Sequence, residues 1–136
     1  MLGIRVTKAG AAWQAEPAWA SKESAINFAS PVAVGDYLYA LGPNKKLVCV
    51  EVRTGKQMWA NTEHGAKVYA AILARADKLL VLTDSGRLLL IGADPKEFRL
   101  ISSAEVCGKN WCHPAYVDGR LFLRDSQELR CAQLLP

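Results

Sequence analysis

Phe28-Ala-Ser-Pro-Val-Ala-Val-Gly-Asp-Tyr-Leu-Tyr39 is the stretch from which the rest of the chain can be read. Moving on 41 positions gives Tyr69-Ala-Ala-Ile-Leu-Ala-Arg-Ala-Asp-Lys-Leu-Leu80, and moving on 83 gives Trp111-Cys-His-Pro-Ala-Tyr-Val-Asp-Gly-Arg-Leu-Phe122. Each copy opens on an aromatic residue: Phe28, Tyr69 or Trp111. Each continues through a turn pair or its remnant (Gly35-Asp36, Ala76-Asp77, Asp118-Gly119) into a short apolar strand. The following stretch repeats as well. Leu47-Val-Cys-Val50 matches Leu88-Leu-Leu-Ile91 and, with one residue deleted, Leu129-Arg-Cys-Ala132. A polar turn precedes each, at Gly42–Lys46, Thr83–Arg87 and Asp125–Glu128.

Three copies at 41 and 42 residues mark a repeat architecture, in which one supersecondary unit stacks on the next. Within a unit, apolar stretches of about five residues alternate with Gly, Asp, Asn or Ser turns, and helical periodicity is missing. Strands are predicted near 29–34, 37–42, 46–51 and 56–60. Four antiparallel strands in about 40 residues make one propeller blade. A solenoid of strand–helix units would need helices, and a β-sandwich has no reason to repeat at this period. The predicted fold class is therefore all-β, with about three antiparallel four-stranded blades of a β-propeller.

The same register divides the chain as one partial propeller domain. Residues 27–66 and 67–109 form two blades, 1–26 the outer strands of a shared blade, and 110–136 its inner strands. Ile4–Thr7 and Ala12–Ala15 read as the last two strands of a preceding blade, with Trp13 or Trp19 at the docking end. The third copy stops at Leu134-Leu-Pro136, before a fourth strand.

Composition excludes several classes. Of 136 residues, 51% are apolar, which argues against disorder. The net charge of +4 is spread thinly, with small concentrations at Lys45-Lys46 and at Lys109, Arg120, Arg124 and Arg130. Nucleic-acid binders gather charge into a face or tail, so no nucleic-acid partner is expected. The longest apolar run, Val68–Ala74, is far short of the ~20 residues of a membrane span. The opening MLGIRVTKAG has no apolar signal-peptide core as written. Four cysteines permit disulfides, although Cys49 and Cys131 fall at equivalent strand positions where a free thiol behaves as a small hydrophobe.

Cys49-Val-Glu-Val-Arg-Thr-Gly-Lys-Gln-Met-Trp59 resembles the tryptophan-docking motif of the quinoprotein-type (PQQ-like) β-propeller repeat, Ala-x-Asp-x-x-x-Gly-x-x-x-Trp. Cys49 stands for the Ala and Glu51 for the Asp, while Gly55 and Trp59 match outright. Ser30–Val32, Gly35–Tyr39 and Asp118–Arg124 resemble the first two strands of that repeat, so the likeness runs over residues 27–134. The family holds pyrroloquinoline-quinone dehydrogenases, outer-membrane assembly scaffolds and many bacterial proteins without a described role, often periplasmic or secreted. In its enzymes the quinone lies above an axial tryptophan, commonly below a disulfide of adjacent cysteines, with calcium held by acidic and amide groups. This chain has no adjacent cysteines, and Lys96 and Leu100 replace the second motif's Gly and Trp. The resemblance thus implies the repeat and not the cofactor.

Individual residues have plain structural readings. Trp59 is expected to pack on the neighbouring blade behind the Thr54-Gly55 turn. Phe28, Tyr69 and Trp111 read as inter-blade core, with Trp111 as the one candidate stacking platform. Cys107, Cys112 and His113 lie within seven residues, but His64 is remote and a zinc site needs three or four ligands. A Cys107–Cys112 disulfide is the alternative use of that loop. Ser30, Ser85 and Ser126 occupy strand or turn positions, and Glu23, Glu51, Glu63 and Glu97 share no pattern. No catalytic, cofactor-binding or metal residue is assigned, and no cofactor is expected.

The function expected is a non-enzymatic binding or scaffolding module with a protein or peptide partner. A fragment or relative of a pyrroloquinoline-quinone dehydrogenase is the alternative. Three blades are too few for a closed ring of four to eight. Either the chain is the C-terminal piece of a longer propeller or it completes a ring by self-association; for a complete chain a homodimer closing a six-blade ring is expected, with the strand near Ala12–Trp19 beside the one near Leu129–Leu134, on the same or the partner chain.

Overall fold

The computed structural model describes every residue except Ser24, Asn27, Phe28, Leu135 and Pro136. Turn residues fold the chain back on itself to give four antiparallel sheets. The first is a hairpin of β1 (Leu2–Ala9) and β2 (Ala12–Ala20). The second, blade I, runs β3 (Val32–Val34), β4 (Tyr37–Leu41), β5 (Leu47–Glu51) and β6 (Gln57–Asn61) in sequence order. Blade II follows the same plan with β7 (Ala70–Arg75), β8 (Lys78–Thr83), β9 (Arg87–Gly92) and β10 (Leu100–Glu105). Blade III has three strands, β11 (Ala115–Val117), β12 (Arg120–Arg124) and β13 (Leu129–Gln133). One helical turn, Pro43–Lys45, interrupts the strands.

The turns explain the period. Gly35, Ala76 and Asp118 stand at equivalent positions and all take left-handed φ, at 57°, 51° and 46°. Glycine adopts that conformation freely and Asp tolerates it, while Ala76 carries a cost of about 1 kcal/mol. The reversal has outlived its glycine.

Blades stack face to face, and strand alternation assigns each residue to a side. In blade I, Tyr39, Leu41, Leu47 and Cys49 point forward and pack with Ile72, Leu79, Val81, Leu89 and Ile91 of blade II. The alternate residues Ala40, Val48 and Val50 point back, towards Met1 and Ile26. Blade II buries its forward residues Leu80, Leu82 and Leu88 against Leu121 and Leu123 of blade III. Burial on both faces is why Leu79–Leu82 reads as a continuous apolar run with no polar alternation.

Several expectations need correction here. Trp111 is not core, since it is 61% exposed. Cys131 is exposed on β13, unlike its equivalent Cys49, because among the described residues no strand or blade covers that side. The expected pairing of the 12–19 strand with 129–134 does not occur within the chain. Cα partners join β1 to β2 from Leu2↔Ala20 to Ala9↔Ala12, and β13 pairs with β12. Phe28 lies outside the described residues.

Candidate functional site

Two of the three boundaries between successive sheets carry an indole hydrogen bond. Trp59 Nε1 donates to the Asp94 carbonyl at 2.8 Å, and Trp19 Nε1 donates to the Val52 carbonyl at 2.8 Å. Trp19 therefore fills the docking place, while Trp13 is 68% exposed. Glycine makes room for the first indole: Gly3 and Gly55 both lie flat against Trp19, where a Cβ would enter the ring. Trp59 is half-buried and packs at 5.9 Å from Tyr39 and 5.7 Å, edge-on, from Phe98. Glu51, in the motif's acidic place, accepts from the Thr54 hydroxyl of the same turn.

A second device was not visible as a motif. Asp84 and Asp125 are 41 residues apart, each in the turn between the second and third strands. Asp84 accepts from the Lys67 and Val68 N–H groups at 3.1 and 2.8 Å, holding the segment that enters blade II. Asp125 accepts from the equivalent Gly108 N–H at 2.8 Å, and from Gln127 and Glu128 N–H at 2.8 and 3.0 Å. Those backbone donors, Gly108 first, lower its pKa to about 2. The signal was the 41-residue recurrence of Asp, masked in blade I by Pro43.

The Cys107–His113 loop is tied down by amides. Asn110 is 3% exposed; its Nδ2 donates to the Thr83 carbonyl at 2.9 Å and lies 3.6 Å from Cys107 Sγ. Gly86 N–H aside, the loop crosses the blade II turn where Gly86 accepts from Val106 N–H at 2.9 Å. Beside this anchor, Trp111 stacks on Tyr69 at 5.9 Å and 19°. The two aromatics that precede successive inner strands thus meet each other, with the outer face of Trp111 open.

The thiols are all free, so the loop holds no Cys107–Cys112 disulfide. Burial raises the pKa of Cys107, and burial raises that of Cys49 to about 11. His113 is exposed, with Nδ1 3.1 Å from the Pro114 carbonyl. His64 stacks on Phe98 at 5.2 Å, in a different blade boundary. Among the described residues, no three of His, Cys, Asp and Glu come together. Ser85 shares a hydrogen bond with Thr83 at 3.0 Å, while Ser30 and Ser126 are exposed. Glu63 and Glu97 are exposed, and Glu23 lines a shallow groove of about 380 Å³ with Lys22 and Lys46. A larger groove of about 500 Å³ lies beside Trp19, between Arg5 and Arg53.

The linker carboxylates Asp84 and Asp125 are committed to backbone N–H groups, and the buried Asn110 amide nitrogen is committed to the Thr83 carbonyl. Among the described residues, no helix is long and apolar enough to cross a membrane.

Comparison with known proteins agrees with this geometry. The chain is 30% identical over 95 residues to the outer membrane protein assembly factor BamB of Burkholderia pseudomallei (strain K96243), covering 70% of this chain and 24% of that protein. It thus spans about a quarter of the length of that curated relative. The crystal structure of BamB from Moraxella catarrhalis superposes with a TM-score of 0.56 and 18% identity, over 89% of this chain and 36% of that one. A quinohemoprotein alcohol dehydrogenase from Pseudomonas putida HK5 superposes at 0.54 with 19% identity, over 78% of this chain and 18% of that one. At such identities the superpositions speak for the shared propeller fold alone. The family model described as outer membrane protein assembly factor BamB matches residues 1–99, and on that match this PQQ-like β-propeller repeat chain belongs to that family.

Proposed function

We propose that this chain is a non-enzymatic β-propeller module that binds a protein partner, in the manner of an outer membrane protein assembly factor. The observation that carries the reading is the exposed Trp111. Its indole is 61% exposed, yet it is stacked on Tyr69 and its backbone neighbour Asn110 is buried and hydrogen-bonded. A rigid, exposed aromatic on a fixed base loses little entropy on contact, which is the profile of an interface anchor.

The test is a fluorescence titration of the intact chain with peptides cut from the strands of outer membrane β-barrel proteins. Saturable binding that weakens at least tenfold in Trp111→Ala is expected, a loss of about 1.4 kcal/mol. A parallel titration with pyrroloquinoline quinone and calcium is expected to show no tight site. Tight, saturable quinone binding, or peptide binding indifferent to Trp111, would overturn the reading.

A further inference from the structure

Blade stacking covers the faces of a sheet and leaves its outermost strand with an open edge. Blade II is a complete four-stranded sheet in the order β10-β9-β8-β7, so β10 is such an edge. The direction of its free backbone groups follows from its two ends. Val106 N–H donates inward to the Gly86 carbonyl at 2.9 Å, and the Arg99 carbonyl accepts inward from Gly92 N–H at 2.9 Å. Along an antiparallel ladder, inward and outward residues alternate. Counting back from Val106, Ala104 and Ser102 turn inward against Leu88 and Leu90. Ser103 and Glu105, opposite Leu89 and Arg87, turn N–H and C=O outward. Among the described residues, no strand pairs with those outward groups.

Edge strands are ordinarily defended by Lys, by Pro or by a bulge. Leu100-Ile-Ser-Ser-Ala-Glu105 has neither Lys nor Pro, and every residue of it is exposed. Its register shift lies at the Leu100 end, away from Ser103 and Glu105. Charge sets what this edge accepts. Arg87 and Glu105 are cross-strand partners, yet the guanidinium leans away and donates to Ser103 Oγ at 3.0 Å. Among the described residues, neither Arg87 nor Glu105 belongs to an ion pair. Opposed residues, and residues two apart on one strand, share a side of the sheet. The edge therefore presents a cation beside Ser103 and, on the same side, a carboxylate two residues further on.

We propose that this edge pairs antiparallel with the same edge of a second copy, Ser103 of each opposite Glu105 of the other. In that register the outward N–H and C=O groups of both residues find partners, about a two-fold axis through Ala104. Each Glu105 carboxylate then lies against the guanidinium held at Ser103 of the other copy, so the charge contact forms on both sides of the axis. The register with Glu105 opposite Glu105 sets like charges face to face and is disfavoured. A two-fold pair uses up the free edge of β10 in both copies, so assembly stops there. Neither Trp111 nor the first and last sheets take part, and the pairing goes beyond the peptide binding proposed above.

The test is light scattering on the intact chain from roughly 1 μM to 1 mM, the range of a small interface. A monomer–dimer equilibrium is expected, weakening as salt rises. Arg87→Glu and Glu105→Arg should each raise the dissociation constant at least tenfold, since each sets like charges across the seam. An equimolar mixture of the two should dimerise at least tenfold more tightly than either alone, because every charge then meets its opposite. If a charge variant fails to fold, Ser103→Pro takes its place: it removes an outward N–H, leaves the inner ladder whole and should abolish the dimer. Amide exchange at Ser103 and Glu105 of the wild type should slow as concentration rises. A wild-type chain still monomeric at about 1 mM would overturn the proposal. So would a dimer that these substitutions leave unchanged, a mixture no tighter than its components, or exchange at the two amides indifferent to concentration. Trp111-dependent peptide binding is untouched by each of these results, so the two readings fail separately.

Discussion

Trp59 and Asp94 are joined across a blade boundary, the indole N–H of one donating to the backbone carbonyl of the other at 2.8 Å. The contact is specific in a way that apolar packing is not. A carbonyl at one place on the neighbouring turn fixes how far blade II can rotate against blade I. Trp19 and Val52 repeat it one boundary earlier. At the next boundary Leu100 holds the tryptophan's place, and blades II and III are joined by apolar packing of the Leu80–Leu123 cluster, the Arg130 to Val106 carbonyl bond at 3.2 Å, the Asn110 and Asp125 bonds of the connecting loop, and Arg75 over the Tyr116 ring.

Trp59→Ala should therefore cost about 3 kcal/mol, the low end for truncating a large aromatic, because the ring is half-buried. Trp59→Phe keeps most of the packing with Tyr39 and Phe98 and should cost about 1 kcal/mol, the worth of the hydrogen bond. Urea unfolding measures both. A loss below about 1 kcal/mol for the alanine variant would show that the indole does not hold the blades together.

Gly55→Ala should release the N-terminal hairpin. Gly55 has φ of +74°, and a Cβ there would enter the Trp19 ring. The left-handed backbone alone costs about 1 kcal/mol, and the clash adds to it. Hydrogen exchange should accelerate in β1 and β2 while blades I and II stay protected, and unchanged exchange in the hairpin would refute the account.

Asp125 should make the fold acid-sensitive. Its folded pKa of about 2 lies below the ordinary carboxylate value of about 3.9, so its contribution is complete above that ordinary value. As pH falls from about 4 towards 2 the carboxylate is protonated and the contribution is lost. Asp125→Asn should be less stable at neutral pH and should flatten the acid limb of a melting-temperature profile. An acid limb identical in slope to wild type would place the acid sensitivity elsewhere.

The four thiols should separate by reactivity. Cys131 is exposed and Cys49 is buried, its thiol pushed up to about 11 by burial. A thiol reagent at neutral pH should modify Cys131 first and leave Cys49 untouched until the chain unfolds. Rapid labelling of Cys49 in the folded protein would mean that the blade I–blade II boundary opens readily.

The repeat was legible in the residues because it is written locally. Glycine, Asp and Asn turns at a constant spacing, and apolar runs between them, follow from backbone sterics and burial within one blade, so strands β3–β6 fall within a residue or three of their expected bounds. Trp59 was legible for the same reason, since its motif lies in one hairpin. What tertiary structure decided were the contacts between residues far apart in the chain. Whether Trp13 or Trp19 docks depends on Val52, 33 residues beyond Trp19. The role of Asp84 depends on backbone N–H groups 16 and 17 residues earlier, which carry no side-chain signal at all. Trp111 and Cys131 were misplaced because their equivalents Tyr69 and Cys49 are covered by a following blade and they are not. A repeat assigns the same residue to the same position, but burial is set by the neighbouring sheet, whose residues lie a full repeat away in the chain and leave no mark on the local pattern.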